Sequence, residues 1–499
     1  MTTVPLLSLL VLVPLAGALL PWLLPATRGA RWVALAGTTV TLSLALGVVA
    51  AFDPRSPDLQ LLEQAAWIPS LGVSYLLGVD GLSVLFLPLT AVLFLGSIAG
   101  SWTSVRTMPR LYYSLLLVLE STTLGVFCAL DGVLFFLFWE LGLVPTYFLL
   151  SLWGVGPQRR YAAVKYTLLM LTSGVPLLFG FLLLAFNHAA ASGAGVPAGL
   201  AFDYPSLLAT PLPQGLGQAV FLLLLLGFAA KAPLFPLHTW LPVAAQEGPV
   251  AIVALLGGLK LGAYGLLRFG LPLAPEAARE MHWLLATLGV TGVLFGALAA
   301  LAQSNLRRML AYGGISHVGL VVLGLASFDV TGVQGAVFQL LSFVLVAGGL
   351  FLLAAMLHHR VGSTEMANLG GAARTMPLLA STYLVLSLAA IGLPGTSGFP
   401  GELLLLVSVI GSHTGAGLAA LGAVVLGAAY TLGLYRRTFL GPVRSPVIAD
   451  TLDLRPREQA VAAVLVLLVL AGGFYPSAAL DLSRAAAEAW VARFTPTGG

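Results

Sequence analysis

Fourteen apolar stretches, each about as long as a membrane-spanning helix, alternate with short polar breaks along the chain. A helix needs about 20 apolar residues to cross the hydrocarbon of a bilayer. Numbered runs 1 to 14, the stretches lie near residues 4–25, 31–52, 82–102, 111–130, 132–153, 162–186, 218–238, 249–268, 281–303, 309–327, 331–358, 376–411, 414–440 and 457–479. Run 1 lacks a preceding basic segment and an A-x-A-like cleavage site, so a retained helix is expected and not a signal peptide. The pattern predicts an all-α polytopic membrane protein with about 14 transmembrane helices.

Two of the runs contain clusters of proline and glycine that interrupt a helix. The cluster of run 7 holds Pro233 and Pro236, and that of run 12 holds Pro394, Gly395, Gly398 and Pro400. Paired discontinuous helices in corresponding positions are typical of inverted-repeat transporters, with the ion path near the breaks. We therefore predict two inverted five-helix repeats, formed by runs 4–8 and runs 9–13. Proline-kinked helices without special meaning are the alternative.

The predicted organisation has four parts. Residues 1–110 form N-terminal transmembrane helices, and residues 111–268 form the first repeat. Residues 281–440 form the second repeat, and residues 441–499 form a cytoplasmic link, the last transmembrane helix and a C-terminal segment. Fifteen of the 20 arginines fall in breaks on one side when the N-terminus is placed outside. Because basic residues favour the cytoplasmic side, both termini are expected on the outer side of the membrane.

The composition excludes several classes of protein. The hydrophobic residues make up 59% of the chain and charged residues only 8%, against about 25% charged residues in soluble domains. A formal charge of +4 spread over 499 residues forms no basic face, so no nucleic-acid partner is expected. The single cysteine, Cys128, excludes an internal disulfide. Since cysteine clusters and a phosphate-binding loop are also absent from the sequence, no cofactor or metal is expected in this chain.

All three lysines of the chain lie inside apolar stretches, whereas nearly all arginines lie in or beside polar breaks. A buried lysine can lose its proton in the physiological range, but arginine cannot. A site that alternates between charged and neutral forms can therefore use Lys231 and Lys260. Lys165 lies near an arginine-rich break, and extension of its side chain to the interface is an equal alternative for it.

Further ionisable residues occur about once per run, as a lateral proton pathway requires. Glu140 lies among apolar residues in the middle of run 5, and Lys231 beside the first break is its expected partner. The pair is a candidate switch, with a static salt bridge as the alternative. His317 suits a relay because histidine titrates near neutrality, although a structural core histidine remains possible. The other candidates are Glu402, which follows the second break, Glu120 in run 4 and Glu247. Glu120 is expected near a headgroup or a neighbouring subunit, and Glu247 is either a gate or a plain loop charge. His238 is expected at the membrane edge.

Several segments, in order from about residue 60 to 445, resemble the M-type antiporter-like subunits of respiratory complex I. They are WIPSLGVSYLLGVDGLS, FFLFWELGLVPTYFLLSLWG, AAVKYTLLMLTSG, KAPLFPLHTWLP, LRRMLAYGGISHVG, GLPGTSGFPGE and AAYTLGLYRRTFLGP. The resemblance implies a 14-helix antiporter-like fold and a role in proton translocation coupled to NADH:quinone oxidoreduction. It also implies partner subunits of the same complex, especially L and N, in a bacterial inner membrane. NADH, FMN, iron–sulfur clusters and quinone are expected in those partners.

The resemblance assigns roles by motif. Glu140 and Lys231 match the glutamate–lysine pair, Lys260 the connecting lysine, His317 the central histidine and Glu402 the glutamate of the second broken helix. Five positions depart from the family pattern: Val243 and Ala245 in LPVAA, Asn305, Gly314 and Phe343. Because Phe343 stands where the family usually has a second histidine, the relay is expected to depend on His317. Three alternatives remain: a divergent paralogue, a subunit of a multisubunit cation/proton antiporter and a subunit of a membrane-bound hydrogenase. A purely structural membrane scaffold is a fourth, but it would bear seven costly intramembrane ionisable groups without a purpose.

Overall fold

The computed structural model describes residues 4–23, 29–443 and 445–495 as a helical protein with one small β-hairpin. The first part of the chain contains α1 (Leu6–Leu23), α2 (Ala30–Ala51), β1 (Gln60–Ile68), β2 (Val73–Val79), α3 (Phe86–Ser101), α4 (Pro109–Cys128), α5 (Gly132–Leu141), α6 (Leu143–Trp153), α7 (Arg159–Ser192) and α8 (Tyr204–Ala209). The next part contains α9 (Gln214–Lys231), α10 (Trp240–Glu247), α11 (Val250–Gly258), α12 (Leu261–Gly265), a π-helical turn (Leu266–Gly270) and α13 (Pro275–Glu280).

The remaining helices complete the second half of the chain. They are α14 (His282–Leu301), α15 (Leu306–Leu325), α16 (Val330–Val361), α17 (Ala372–Thr375), α18 (Pro377–Ala390), α19 (Gly398–Ser412), α20 (Thr414–Phe439), α21 (Pro446–Ala449), α22 (Pro456–Phe474) and α23 (Ser477–Ala492). Twelve described helical segments are long and apolar enough to cross a membrane. The two other runs correspond to shorter apolar helices, α3 for run 3 and the pair α18 and α19 for run 12. The prediction of an all-α polytopic membrane protein is thus confirmed, and the inverted repeats stay a prediction.

Both predicted helix interruptions are present. Run 7 is divided into α9 and α10 by irregular backbone at residues 232–239, and run 12 into α18 and α19 by residues 391–397. Two further interruptions were not predicted. Gly142 separates α5 from α6, and Leu259 and Lys260 separate α11 from α12. All four interruptions adjoin candidate site residues.

The β-hairpin occupies a break that was expected to be a polar link. Its Glu63 carboxylate accepts hydrogen bonds from the backbone N–H groups of Leu7 (2.7 Å) and Ser8 (2.8 Å) at the start of α1. The free N–H groups of a helix start attract a carboxylate. On the other strand, Ser74 N–H donates to Asp131, which caps α5. Burial raises the pKa of the Asp131 carboxyl, and the backbone donors oppose that shift. The hairpin therefore fastens the amino-terminal ends of α1 and α5.

The long helix α16 is the centre of the protein. Nearly all of its residues from Gly332 to Leu357 are buried, and it contacts α3, α11, α15, α18, α19, α22 and α23. An all-apolar circumference is typical of a helix surrounded by other helices. The amphipathic helix α23, which follows the last membrane run, packs against α16 and was not predicted. Its Trp490 indole donates to the Leu267 carbonyl at 2.8 Å.

Candidate functional site

Glu402 and His317 are in direct contact in the second half of the chain. The His317 Nδ1 atom lies 3.3 Å from the Glu402 Oε1 atom, and the side chains are 17% and 6% exposed. Gly392 makes room for the carboxylate, because a Cβ atom there would lie 2.1 Å from Glu402 Oε2. Gly392 also has a φ of +68°, which glycine adopts at little cost. The second helix interruption thus holds a buried acid against an imidazole.

Small residues set the position of the helix that carries His317. A Cβ atom at Gly296 of α14 would lie 2.5 Å from the Ser316 backbone nitrogen, and one at Gly319 of α15 would lie 2.6 Å from the Val293 nitrogen. The Ser316 hydroxyl donates to the Val293 carbonyl at 2.8 Å. Small residues and interhelical hydroxyl bonds are the usual means of close helix packing in membranes. The α14–α15 pair therefore holds His317 at a fixed depth.

Lys260 approaches the same helix one turn before His317. It lies in the interruption between α11 and α12, is 5% exposed, and its Nζ atom is 3.5 Å from the Leu256 carbonyl. A Cβ atom at Gly314 would lie 3.4 Å from this Nζ. Gly314 precedes His317 by three residues, which is a rise of about 4.5 Å along α15. Lys260, His317 and Glu402 therefore lie in sequence along one route, and the departure at Gly314 leaves the α15 backbone open to the lysine.

Phe343 lies directly beside His317. The two rings meet edge to face with centroids 5.5 Å apart. Both line a cavity together with Gln339 and Ser342, whose polar atoms were not among the predicted site residues. The Ser342 hydroxyl is 3.0 Å from that of Ser397 in the second interruption. Although Phe343 carries no proton, the cavity around His317 thus contains groups able to bond water.

Glu140 and Lys231 are neighbours without forming a direct ion pair. Lys231 Nζ donates to the Trp139 carbonyl at 2.8 Å and lies 3.7 Å from the centroid of the Trp139 ring. Among the described residues, the ion pairs within 4.0 Å do not include Glu140. Its carboxylate packs at Gly174 of α7, where a Cβ atom would lie 2.3 Å from Oε1. The expected pair is therefore connected through the backbone of Trp139, at the end of α5.

Three further predicted residues lie apart from this route. Glu120 is fully buried and accepts a 2.6 Å hydrogen bond from Thr38, so its side chain reaches neither of the two expected surroundings, a headgroup or a neighbouring subunit. Glu247 ends α10, is 4% exposed and accepts a 2.8 Å bond from the Gln158 backbone N–H, as a brace of the loop before α7. Lys165 is only partly buried, with its Nζ atom 5.9 Å from the centroid of the Tyr161 ring.

The sequence analysis did not identify two buried groups. Arg268 forms a bidentate pair with Asp80 at 2.7 and 2.5 Å inside the protein. His238 is 4% exposed and packs against Phe295, with ring centroids 4.9 Å apart; its position at the membrane edge stays a prediction. The lone arginine at the end of an apolar run was the available signal for the first pair.

The departures at the other positions have local consequences. Asn305 caps α15 by accepting from the backbone N–H groups of Arg307 (3.0 Å) and Arg308 (3.3 Å). Its amide also donates to Glu365 Oε1 at 2.7 Å, which a carboxylate could not do. Ala245 is buried in α10 and Val243 is partly buried there. Among the described residues, no group of three or more His, Cys, Asp or Glu side chains suits a metal ion.

Comparisons with known proteins extend over nearly the whole chain. Residues 129–427 match the family model described as NADH:quinone oxidoreductase/Mrp antiporter, TM. The chain is 38% identical to NADH-quinone oxidoreductase subunit M of Rhodobacter capsulatus over 490 residues, which cover 96% of this chain and 94% of the relative. Its fold is similar to that of a chain of respiratory complex I from Thermus thermophilus with bound NADH, with a TM-score of 0.88 and 34% identity. The match covers 99% of this chain and 100% of the Thermus chain. It is also similar in fold to a chain of the Mrp complex from Dietzia sp. DQ12-45-1b, with a TM-score of 0.85 and 23% identity. That match covers 100% of this chain and 98% of the Dietzia chain.

Proposed function

Because the chain belongs to the NADH:quinone oxidoreductase/Mrp antiporter transmembrane family, we propose that it is the proton-translocating M subunit of a bacterial NADH-quinone oxidoreductase. The high identity and nearly complete coverage of the Rhodobacter subunit M support this assignment. The match to a chain of Thermus complex I supports it independently at the level of structure. The chain performs no redox chemistry in this proposal and contributes only to proton movement.

The contact between His317 and Glu402 is the observation that carries the proposal. A 3.3 Å separation of Nδ1 and Oε1 allows a proton to pass between imidazole and carboxylate with little movement. Neither partner serves as a surface charge, since both side chains are largely buried. Burying an ionisable pair in a membrane protein is costly and indicates an ion pathway. A scaffold would gain nothing from it.

The pathway runs laterally through the middle of the chain. Lys231 starts it beside the first interruption, and Lys260 follows at the interruption between α11 and α12. A proton on Lys260 Nζ passes along α15 to His317 and then to the Glu402 carboxylate. Water in the cavity around His317 bridges the remaining gap, because Gln339 and Ser342 offer bonding partners there. Glu402 releases the proton through the irregular backbone of the second interruption.

Energy reaches this chain from its partners. NADH, FMN, iron–sulfur clusters and quinone belong to other subunits, and the antiporter-like subunits L and N adjoin this chain in the membrane. Both termini lie on the outer side, since the basic breaks face the cytoplasm. Glu140 is only partly buried and lies next to Trp139, to which Lys231 bonds. A charge that moves in a neighbouring subunit can therefore act on Lys231 through Glu140.

An Mrp-type cation/proton antiporter subunit is the second candidate. The fold similarity to the Dietzia chain supports it, but at 23% identity that similarity concerns the fold alone. A hydrogenase subunit of the same fold would likewise work without NADH. The candidates differ in the reaction that drives proton movement.

Proton uptake by liposomes that contain the complex purified through this chain tests the proposal. We expect NADH oxidation by quinone to drive uptake, and Glu402→Gln to reduce the protons moved per NADH. Glu276→Gln is the matched control, because Glu276 is exposed on α13. Copurification without quinone-reducing subunits, together with proton movement driven by a sodium gradient, would instead establish the antiporter assignment.

A further inference from the structure

An apolar groove runs along the surface of the protein between α2, α3, α16 and α22. It is lined almost entirely by hydrocarbon and aromatic side chains, including those of Trp32, Leu42, Trp102, Val461 and Leu465. It encloses about 1140 Å³ of space, counting the part that is open to the surroundings. Exposed apolar surface of this extent marks a binding site or a lipid contact. None of the proton-pathway residues lines it.

The length of the groove along α2 and α3 equals the thickness of the hydrocarbon of one bilayer leaflet. Its wall on α2 extends from Trp32 to Leu42, ten residues that rise about 15 Å. The wall on α3 extends over a similar length, from Trp102 back to Val92. The hydrocarbon core of a bilayer is about 30 Å thick, so each leaflet contributes about half of it. A single acyl chain that enters at the Trp32 end would reach the membrane centre near Leu42.

Arginine side chains cluster at the shallow end of the groove. Arg457 lines it, and the Arg31 guanidinium lies 4.9 Å from the centroid of the Trp102 ring. Arg455 and Arg457 both donate to the hydroxyl oxygen of Thr103, at 3.0 and 2.9 Å. Two guanidinium groups thus converge on one neutral oxygen. Like charges this close repel each other unless an anion lies between them.

One described carboxylate, that of Glu458, attracts the Arg457 charge, but among the described residues it forms no ion pair within 4.0 Å with Arg31, Arg455 or Arg457. The nearby Glu458 carboxylate forms its ion pair with Arg360 and accepts the Arg455 backbone N–H at 2.9 Å. The Nε atoms of Arg31 and Arg457 are buried and have no hydrogen-bond partner among the described residues. Buried polar groups are normally bonded. The cluster therefore lacks an anionic partner at the mouth of an apolar groove.

We propose that this groove binds one anionic phospholipid of the inner leaflet. Its phosphate lies between Arg31 and Arg457, and one acyl chain follows the groove past Trp102 toward Leu42. The proposal rests on the orientation given above, which places the cluster on the cytoplasmic side, where basic side chains attract anionic lipids. Such a lipid combines an anionic phosphate, which the arginines bind, with an acyl chain about as long as the groove. Inorganic phosphate would satisfy the arginines but leave the groove empty.

Native mass spectrometry of the purified complex, after exchange into defined lipid, measures the binding. We expect phosphatidylglycerol to be retained in preference to phosphatidylcholine. Each arginine near the surface contributes about fivefold to anionic lipid affinity, so Arg31→Gln with Arg457→Gln should weaken phosphatidylglycerol retention about 25-fold. The pair Arg436→Gln and Arg437→Gln, exposed at the end of α20, is the matched control and should change little. Equal retention of both lipids by the unchanged complex would overturn the proposal.

Two further measurements identify the occupant. Ala99→Phe projects a ring into the groove and should reduce the retention of both lipids, because it blocks the acyl chain. A photoreactive phenylalanine analogue in place of Leu42 should attach to lipid. Attachment to another polypeptide would show that a subunit helix fills the groove and would refute the lipid site. Competition by inorganic phosphate alone, with no effect of Ala99→Phe, would show that the arginines bind a free anion only.

Discussion

Replacing His317 by phenylalanine removes the imidazole that lies 3.3 Å from the Glu402 carboxylate, while an aromatic ring of similar size remains. The contact is 3.3 Å long and largely buried. The neighbouring ring of Phe343 carries no proton and cannot take over. The variant therefore breaks the pathway between Lys260 and Glu402 without emptying the core.

The magnitude follows from the energy of the charge-separated state, with the imidazole protonated and the carboxylate ionised. Two unit charges 3.3 Å apart attract by about 5 kcal/mol at an effective dielectric constant of about 20 and by about 1.3 kcal/mol in bulk water. Each 1.36 kcal/mol corresponds to a tenfold change in rate. Loss of His317 should thus slow proton passage by a factor between about ten and several thousand. The low exposure of both side chains favours the upper part of that range.

Proton uptake per NADH oxidised, measured in liposomes with the assembled complex, is the assay. We expect a lower ratio in His317→Phe, with normal amounts of assembled complex. His282→Phe is the matched control, since it makes the same chemical change at an exposed position at the start of α14. That control should pump as the unchanged complex does.

An unchanged ratio in His317→Phe would refute the relay through this histidine. Rescue provides a second check. Phe343 lies 5.5 Å from His317, centroid to centroid, so an imidazole introduced by Phe343→His would reach the same cavity. Histidine titrates near neutrality. The double variant should therefore recover part of the ratio that His317→Phe loses.

Substitutions of Lys231, Gly392 and Arg268 test the surrounding structure. Lys231→Ala should abolish most pumping-linked turnover in an assembled complex. Lys231→Arg should also lose proton pumping, because arginine keeps its proton. Full pumping by the arginine variant would contradict a switch formed by Lys231 and Glu140. Gly392→Ala places a Cβ atom 2.1 Å from Glu402 Oε2 and should lower the proton ratio, whereas Gly362→Ala, at a similar φ of +78° with open space around it, should not. Arg268→Met leaves a buried carboxylate unpaired and should lower the free energy of unfolding by about 3–5 kcal/mol, seen as less assembled complex or a lower unfolding temperature; no change would show that the pair is dispensable.

Membrane spans and proline-rich interruptions could be predicted because their signals are local. About 20 apolar residues suffice to indicate a span, and Pro233, Pro236, Pro394 and Pro400 mark the two interruptions in the chain itself. The same holds for the candidate charges, which are conspicuous in apolar surroundings. Locality also explains the contact of Glu402 with the second interruption, since the residue follows it directly.

Features that depend on distant parts of the chain could not be predicted. Asp80 and Arg268 are 188 residues apart in sequence, and no local pattern pairs them. The interruption at Lys260 has only two preceding glycines as its signal, and glycine alone is common in membrane helices. The β-hairpin was missed because its strand β1 is exposed along most of its length and shows no regular alternation of apolar and polar residues.

The helix interruptions explain how charges are tolerated at these depths. Lys231 ends α9, and the Lys260 ammonium lies 3.5 Å from the Leu256 carbonyl in the last turn of α11, so each ammonium lies at the negative, carboxyl-terminal end of a helix. Glu402 lies five residues into α19, near a positive, amino-terminal end. These helix ends offset part of the cost of burying the charged side chains.

Glu140 is the exception, because its charge is not offset by the helix end at which it lies. Its carboxylate lies at the carboxyl-terminal end of α5, where the helix dipole opposes a negative charge. The compensation comes from the Lys231 ammonium, which bonds to the Trp139 carbonyl at that same helix end. When Lys231 loses its proton, that compensation disappears and the carboxylate is stabilised only by protonation. We therefore expect loss of a proton by Lys231 and gain of one by Glu140 to be linked, although the two side chains share no direct ion pair.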